Sequence, residues 1–316
     1  MNNSTSQIIF LKPAFIRKLW GSQKLAHKFN FDLPKNTPIG EAWLVSAHPN
    51  GMMSYVLNGE YKGLSLAELF KQQPSLFANL DSSGSVINKE YPLLTKILDA
   101  NDSLSVQIHP DDKFAEKNHQ CLGKTECWYI LECLPKGRVI LGHNAKTKDQ
   151  FNQWLAKEQW HKLLKYIPIK KDQFIYVPSL KIHGLLAHTM VFELQQSSDI
   201  TYRLYDYDRK DELGNLRNLH LKEASTIVLA PDLNSSEANG HDNYLVDNKF
   251  FKLIKLINEG INHYSYPNTR WLQISVLDGN GIIDDTSIKK GDSFILPNGY
   301  TDFCLSGNML LMVTYC

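Results

Sequence analysis

Short apolar runs separated by turn residues dominate the chain. Between residues 8 and 62 the runs are punctuated by Trp20-Gly21-Ser22, Ala47-His48-Pro49-Asn50-Gly51 and Asn58-Gly59. Asn-Gly between Ser54-Tyr55-Val56-Leu57 and Tyr61 predicts a hairpin, because both residues tolerate the positive φ of a tight turn. Residues 64–80, LSLAELFKQQPSLFANL, place Leu66, Leu69 and Phe70 on one helical face, and Pro74 splits the stretch into two short helices. Residues 93–109 and 126–143 are rich in Leu, Ile and Val and predict strands, with a helical turn at Asp111–Lys117 between them. Residues 147–166 predict a helix, with Phe151, Trp154, Leu155, Trp160, Leu163 and Leu164 as its apolar stripe. Strands resume at 173–178 and 189–196.

The periodicity stops at residues 231–243, PDLNSSEANGHDN, which are polar and turn-rich and mark a domain boundary. Beyond it, FFKLIKLI, WLQISVLDGNG, SIKKGDSFILPNG and NMLLMVTYC predict short strands of a sandwich or barrel. An internal echo connects the two parts. Lys170-Lys171-Asp172-Gln173-Phe174-Ile175-Tyr176-Val177-Pro178 resembles Lys289-Lys290-Gly291-Asp292-Ser293-Phe294-Ile295-Leu296-Pro297, which suggests two copies of one β-barrel. His183 lies five residues past the first proline; Asp302 takes that place in the second copy, and no histidine follows His263. Metal chemistry is therefore expected in the first copy only.

Length and charge narrow the function classes. The 316 residues suffice for a large core and two domains. A net charge of +1 supplies no basic field for nucleic acid and no acidic tail for a basic partner. No apolar run is long enough for a signal peptide or a membrane span, so a cytoplasmic protein is expected. The sequence carries no signal for an oligomeric state. The five cysteines, an odd number with no CxxC spacing, argue against a disulfide framework. Cys127 and Cys133, on one face of a predicted strand, are expected to be free thiols packed as small hydrophobes.

The candidate chemistry gathers in Tyr91–Tyr129 and around Val177–His183. In the strand-like Ser105-Val106-Gln107-Ile108-His109, Gln107 and His109 are two residues apart and point to one face. Glu126 opens the next strand-like run, and His183 follows Val177-Pro178. Two histidines and one carboxylate are a common set for a catalytic zinc with an open position. His48 reads as a turn residue and Trp154 and Trp160 as core. On their surroundings alone, Arg203 would join an ion-pair network with Asp199, Asp206, Asp208 and Arg209, and Lys124 would be a solvated loop lysine.

The order Gln107-x-His109, Glu126, then Pro178-Ser179-Leu180-Lys181-Ile182-His183 resembles the cupin metal signature. From about residue 10 to the end, the chain resembles more closely the type I mannose-6-phosphate isomerases in their short bacterial form. The matching stretches are IGEAWLVSAHPNG (39–51), YPLLTKILDANDSLSVQIHPDD (91–112), GKTECWYIL (123–131) and ELQQSSDITYRLYDYDR (193–209). Four separated motifs in one order are far more specific than one short pattern.

The resemblance implies a mostly β fold of two cupin-like jelly-roll barrels, with short helical segments inserted in the first. A metal-binding catalytic domain would span residues 1–235, and a smaller domain without metal ligands residues 236–316. It implies an enzyme that interconverts mannose 6-phosphate and fructose 6-phosphate, with one zinc ion per chain and a small phosphosugar as its partner. His109, Glu126 and His183 would be the ligands, with Gln107 either a fourth ligand or a hydrogen-bond partner of one. Arg203 matches the family's catalytic arginine, and Lys124 and Ser105 match residues lining the substrate pocket. Zinc would stabilise the enediolate oxygen as a Lewis acid; a zinc-bound water, a histidine or a carboxylate remains open as the proton-transferring base.

The departures from the family are local. Family members usually read Pro-Ser-Gly-Thr-Ile-His where this chain has Leu180-Lys181, so Leu180 is either strained at positive φ or on another path. A glycine-rich turn is replaced by Leu186-Ala187-His188. These changes concern the pocket rim, and they leave two other readings open: an isomerase or epimerase of the same fold acting on another phosphosugar, and a cupin that binds a sugar phosphate without turnover.

Overall fold

The computed structural model describes residues 7–48, 52–211, 213–232, 240 and 242–316. The turn expected at Pro49-Asn50-Gly51, and residues 233–239 and 241 of the expected domain boundary, lie outside the described residues. The fold is mostly β, as expected, and the strands of the described residues lie in sheets of nine, six and five.

The six-stranded sheet runs Phe174–Val177, Glu126–Glu132, Thr189–Gln196, Leu93–Ala100, Ile39–Val45, Ala14–Ser22. Its three strands Ile39–Val45, Leu93–Ala100 and Thr189–Gln196 are buried at every position. Burial on both faces is why these strands read as apolar runs without alternation. Charged residues inside those runs are therefore exceptional, and they line up. Trp43 opposes Lys96, Lys96 opposes Glu193, and Glu193 opposes Trp128, making one row across four strands.

The five-stranded sheet faces this row and runs Tyr202–Tyr205, Val106–Ile108, His183–Leu185, Arg138–His143, Leu164–Pro168. The nine-stranded sheet contains the C-terminal strands together with two from the chain's first part. Ile9–Lys12 pairs with Ser293–Leu296 on one side and with Tyr55–Val56 on the other. One hydrophobic core accordingly joins Leu11, Phe70 and Phe77 to Phe251, Trp271 and Ile295. Across it the buried Tyr91 hydroxyl donates to Gln273 Oε1 at 2.8 Å.

Local signals account for several elements. Ser65 caps the helix Leu66–Gln72 in a reciprocal box with Glu68, and Pro74 opens a separate 3₁₀ turn, Pro74–Phe77. Asp111 caps Asp112–His119 through Phe114 N–H. The two echoed segments have the same form: a turn with one residue at positive φ, Asp172 or Gly291, feeding a strand. All five cysteines are free, and Cys127 is buried. Among the described residues no helix is long and apolar enough to cross a membrane.

Two expectations are corrected. Residues 147–166 do not form one helix. They make Lys148–Ala156, then Trp160–Leu163, and then enter the strand Leu164–Pro168. The break comes at Glu158, whose φ of 50° ends the helix. The apolar spacing slips there from Leu155 to Trp160, and Trp160 instead stacks on Tyr205 with ring centroids 4.7 Å apart. The hairpin at Asn58-Gly59 is also wider than expected. Val56 N–H donates to Leu64 O, and Tyr55 bridges to Ser65 rather than Tyr61. The Asn58 side chain is committed elsewhere, accepting from Phe10 N–H at 2.9 Å and donating to Ile8 O at 2.7 Å.

Candidate active site

Strand pairing assembles the site from segments far apart in sequence. Gln107 sits opposite His183 on one side and Arg203 on the other. His109 follows the end of Val106–Ile108, and Glu126 opens a strand of the six-stranded sheet. The site therefore lies between the two sheets, with one ligand atom each from His109, Glu126 and His183 within 4.8 Å of one another. All three residues are buried, Glu126 completely.

Each imidazole is oriented by a backbone carbonyl. His109 Nδ1 donates to Ile200 O at 2.8 Å, and His183 Nδ1 to Lys181 O at 2.9 Å. A carbonyl only accepts, so the protons sit on Nδ1 and the Nε2 lone pairs face inward. His109 Nε2 is 3.5 Å from Glu126 Oε2, and His183 Nε2 is 3.3 Å from Oε1. Gln107 Nε2 reaches His183 Nε2 at 3.2 Å, and Ser105 Oγ is 3.5 Å from Gln107 Oε1. Lys124 Nζ lies 2.9 Å from His109 Nε2 and 2.8 Å from Glu126 Oε2.

Electrostatics hold these groups in ligand form. Burial, the Lys124 ammonium and the neighbouring His183 hold His109 well below the ordinary histidine range. Burial also lowers His183, against the pull of Glu126. Both rings are thus neutral at pH 7 and can donate a lone pair. Burial pushes the Glu126 carboxyl up, but Lys124 and His183 override it and keep the group ionised. Among the described residues Glu126 Oε1 has no hydrogen-bond donor, and Oε2 has only the Lys124 ammonium, 2.8 Å away. A fully buried carboxylate with one oxygen bare of donors, flanked by two inward lone pairs, is an environment suited to a divalent cation.

Beside the cluster opens a cavity of about 580 Å³, lined by Ser105, Gln107, Lys124 and Arg203 among others. All seven residues singled out in the sequence thus meet at one place. Lys124 is buried and paired rather than solvated. Arg203 does not join the expected ion-pair network. Asp206 is taken by Arg209 and Arg217, while Arg203 donates Nη1 to Asn218 O at 2.9 Å and, among the described residues, leaves Nε without a partner. Lys18, Lys96, Lys124 and Arg217 on the cavity wall are ion-paired with Glu41, Glu193, Glu126 and Asp206, and Arg203 offers a guanidinium that suits an anionic ligand. His48 is a buried residue with Nε2 3.7 Å from Asp199 Oδ1, outside the cluster.

Sequence reasoning missed part of the wall. Lys96 Nζ donates to Gln195 Oε1 at 2.6 Å, lies 3.1 Å from Glu193 Oε1, and sits over the Trp43 ring. Trp128 Nε1 donates to Glu193 Oε2 at 2.9 Å. On the outer side, Glu41 accepts from Trp43 Nε1 at 2.6 Å and pairs with Lys18 at 2.9 Å. The available signal was a charge inside an apolar run: Glu41 in IGEAWLV, Lys96 in LLTKILDA, Glu193 in TMVFELQQ. Arg217 lies in a polar stretch that gave no such signal.

Comparison with known proteins accords with this geometry. Residues 8–129 match the family model of the phosphomannose isomerase type I catalytic domain, and residues 243–316 match that of the mannose-6-phosphate isomerase cupin domain. The chain is 39% identical to a mannose-6-phosphate isomerase of Streptococcus mutans, covering 97% of this chain and 98% of that protein. It is 38% identical to one of Bacillus subtilis, covering 98% and 99%. A crystal structure of the Bacillus subtilis mannose 6-phosphate isomerase superposes with a TM-score of 0.90 at 36% identity, over 98% of this chain and 99% of that one. By these matches the chain belongs to the type I phosphomannose isomerase family.

Proposed function

We propose that the chain is a zinc-dependent aldose–ketose isomerase that interconverts mannose 6-phosphate and fructose 6-phosphate. The observation that carries this reading is the Glu126 carboxylate, fully buried between two inward imidazole lone pairs with only the Lys124 ammonium as donor, beside a cavity lined by Lys124 and Arg203. The names of the relatives support the substrate. His109, Glu126 and His183 would hold the ion, with Gln107 as fourth donor. When bound, zinc supplies Lewis-acid stabilisation of negative oxygen charge.

The remaining work falls to side chains. Isomerisation moves a proton between C1 and C2 and passes through an enediolate, whose charge a positioned guanidinium can stabilise. Arg203, with donors left over and Gln107 as its strand neighbour, is suited to that role. Lys124 and Ser105 would bind substrate hydroxyl oxygens, and the cationic lining would meet the phosphate. Trp43 and Trp128 give the wall apolar surface that restricts water.

We also propose the division into residues 1–235, which carry the metal site, and 236–316, which carry none. A phosphosugar does not cross a bilayer unaided, which supports action in the cytoplasm. The departure at Leu180–His188 favours one second reading, the same chemistry on another phosphosugar. Turnover by the purified protein on mannose 6-phosphate, glucose 6-phosphate and ribose 5-phosphate separates the two. We expect mannose 6-phosphate to be converted best and Arg203→Ala to lower kcat by about 10² or more. Preferred turnover of another sugar would replace the substrate assignment.

A further inference from the structure

We infer that Lys181 and Asp232, an ion pair between a buried lysine and a half-buried aspartate outside the cluster, are positioning residues that aim His183 at the metal. The inference rests on the metal-centre reading above and concerns residues unique to neither ligand set nor cavity wall.

Lys181 is 3% exposed. Its ammonium donates to Asp232 Oδ2 at 2.7 Å. Its backbone carbonyl, meanwhile, is the acceptor that fixes His183 Nδ1 at 2.9 Å. One residue thus faces the metal cluster with its main chain and Asp232 with its side chain. The backbone on either side is held as well. Leu180, at φ 66°, donates its N–H to His109 O at 2.7 Å, and Ile182 O accepts from Gly142 N–H at 2.6 Å. Of the alternatives open for Leu180, the structure takes the positive-φ one. Without glycine, such a conformation persists only where its surroundings over-determine it.

Asp232 is itself held in place. Its carboxylate lies over Gly142, where a Cβ would come within 2.1 Å of Oδ2. The segment leading to it is tied down by Lys148, which donates to Val228 O at 2.7 Å, and by His143 Nε2, which donates to Leu229 O at 2.8 Å. A hydrogen bond to the outer nitrogen of a ligating histidine fixes both ring direction and tautomer. Here the carbonyl that makes this bond belongs to a residue whose side chain is anchored to a different part of the chain.

The test uses full-length Lys181→Met, Asp232→Asn and the double variant beside wild type. Zinc affinity is read by chelator competition, the visible spectrum of the cobalt-loaded protein reports ligand geometry, and thermal unfolding of metal-free protein reports stability. We expect each single variant to lose about 10-fold or more in zinc affinity and to shift the cobalt bands. The double variant should lose no more than the worse single one, because the two residues act as a pair. Where a single variant fails to fold, the double, which leaves no lone buried charge, decides. Wild-type affinity and an unchanged cobalt spectrum, even with a lower unfolding temperature, would reduce the pair to a structural role and overturn the inference. Wild-type protein that takes up neither ion would overturn the metal reading and this inference together.

Discussion

Glu126 is the residue on which the site turns. It sits between two imidazoles with Oε1 bare of donors, and Lys124, 2.8 Å from Oε2, keeps it ionised against burial. Glu126→Gln keeps the shape and removes the charge. We expect zinc retained through dialysis to fall from near one per chain to near none, a loss in affinity of more than about 100-fold, measured by metal analysis. Glu41 gives a second test at this scale. Burial pushes its carboxyl up, but Lys18, Lys96 and the Trp43 N–H outweigh that and bring it down from 4.5 to about 2. A depressed carboxyl contributes stability that is present above 4.5 and is lost as the pH falls toward 2. Acid titration of Glu41→Gln followed by circular dichroism should therefore show a shallower loss of stability across that window than wild type. The candidate metal cluster was legible because the spacing of Gln107 and His109 and the motif order survive in sequence. Lys96, Glu193 and Glu41 were not, because only strand register reveals that they face one cavity.

At the scale of elements, the row Trp43–Lys96–Glu193–Trp128 shows how a central sheet can carry charge. Lys96 is held charged by Glu193 and Glu41 against burial, and burial, with Glu126 nearby, raises Glu193. Removing one partner strands the other. Lys96→Met should cost about 3 kcal/mol in denaturant unfolding, and Lys96→Met with Glu193→Gln should recover much of it. Equal losses in the single and double variants would contradict the pairing. Helices were legible where a cap or proline fixed an end, as at Ser65 and Pro74. The 147–166 segment was not, because Trp160 and Leu164 are committed by tertiary partners, Tyr205 and the Arg138–His143 strand. The short strand His183–Leu185 was likewise hidden, since three residues carry no period.

At the scale of the molecule, strand pairing and core packing link the two sides of the polar stretch 231–243 that reads as a domain boundary. Ile9–Lys12 completes the C-terminal sheet, and Tyr91 reaches Gln273 through a core that both parts share. A chain ended at residue 235 should therefore not fold, because that core would lose Phe251, Trp271 and Ile295. Gel filtration and circular dichroism would show this, and a soluble, folded fragment would contradict it. The central claim, however, concerns chemistry, and one measurement reaches it directly. Purified protein is assayed for conversion of mannose 6-phosphate to fructose 6-phosphate as prepared, after chelator treatment, and after zinc is restored, with bound metal counted at each stage. The account predicts turnover that disappears with the metal and returns with about one zinc per chain. Turnover that persists after the metal is gone, or none with zinc bound, would contradict it.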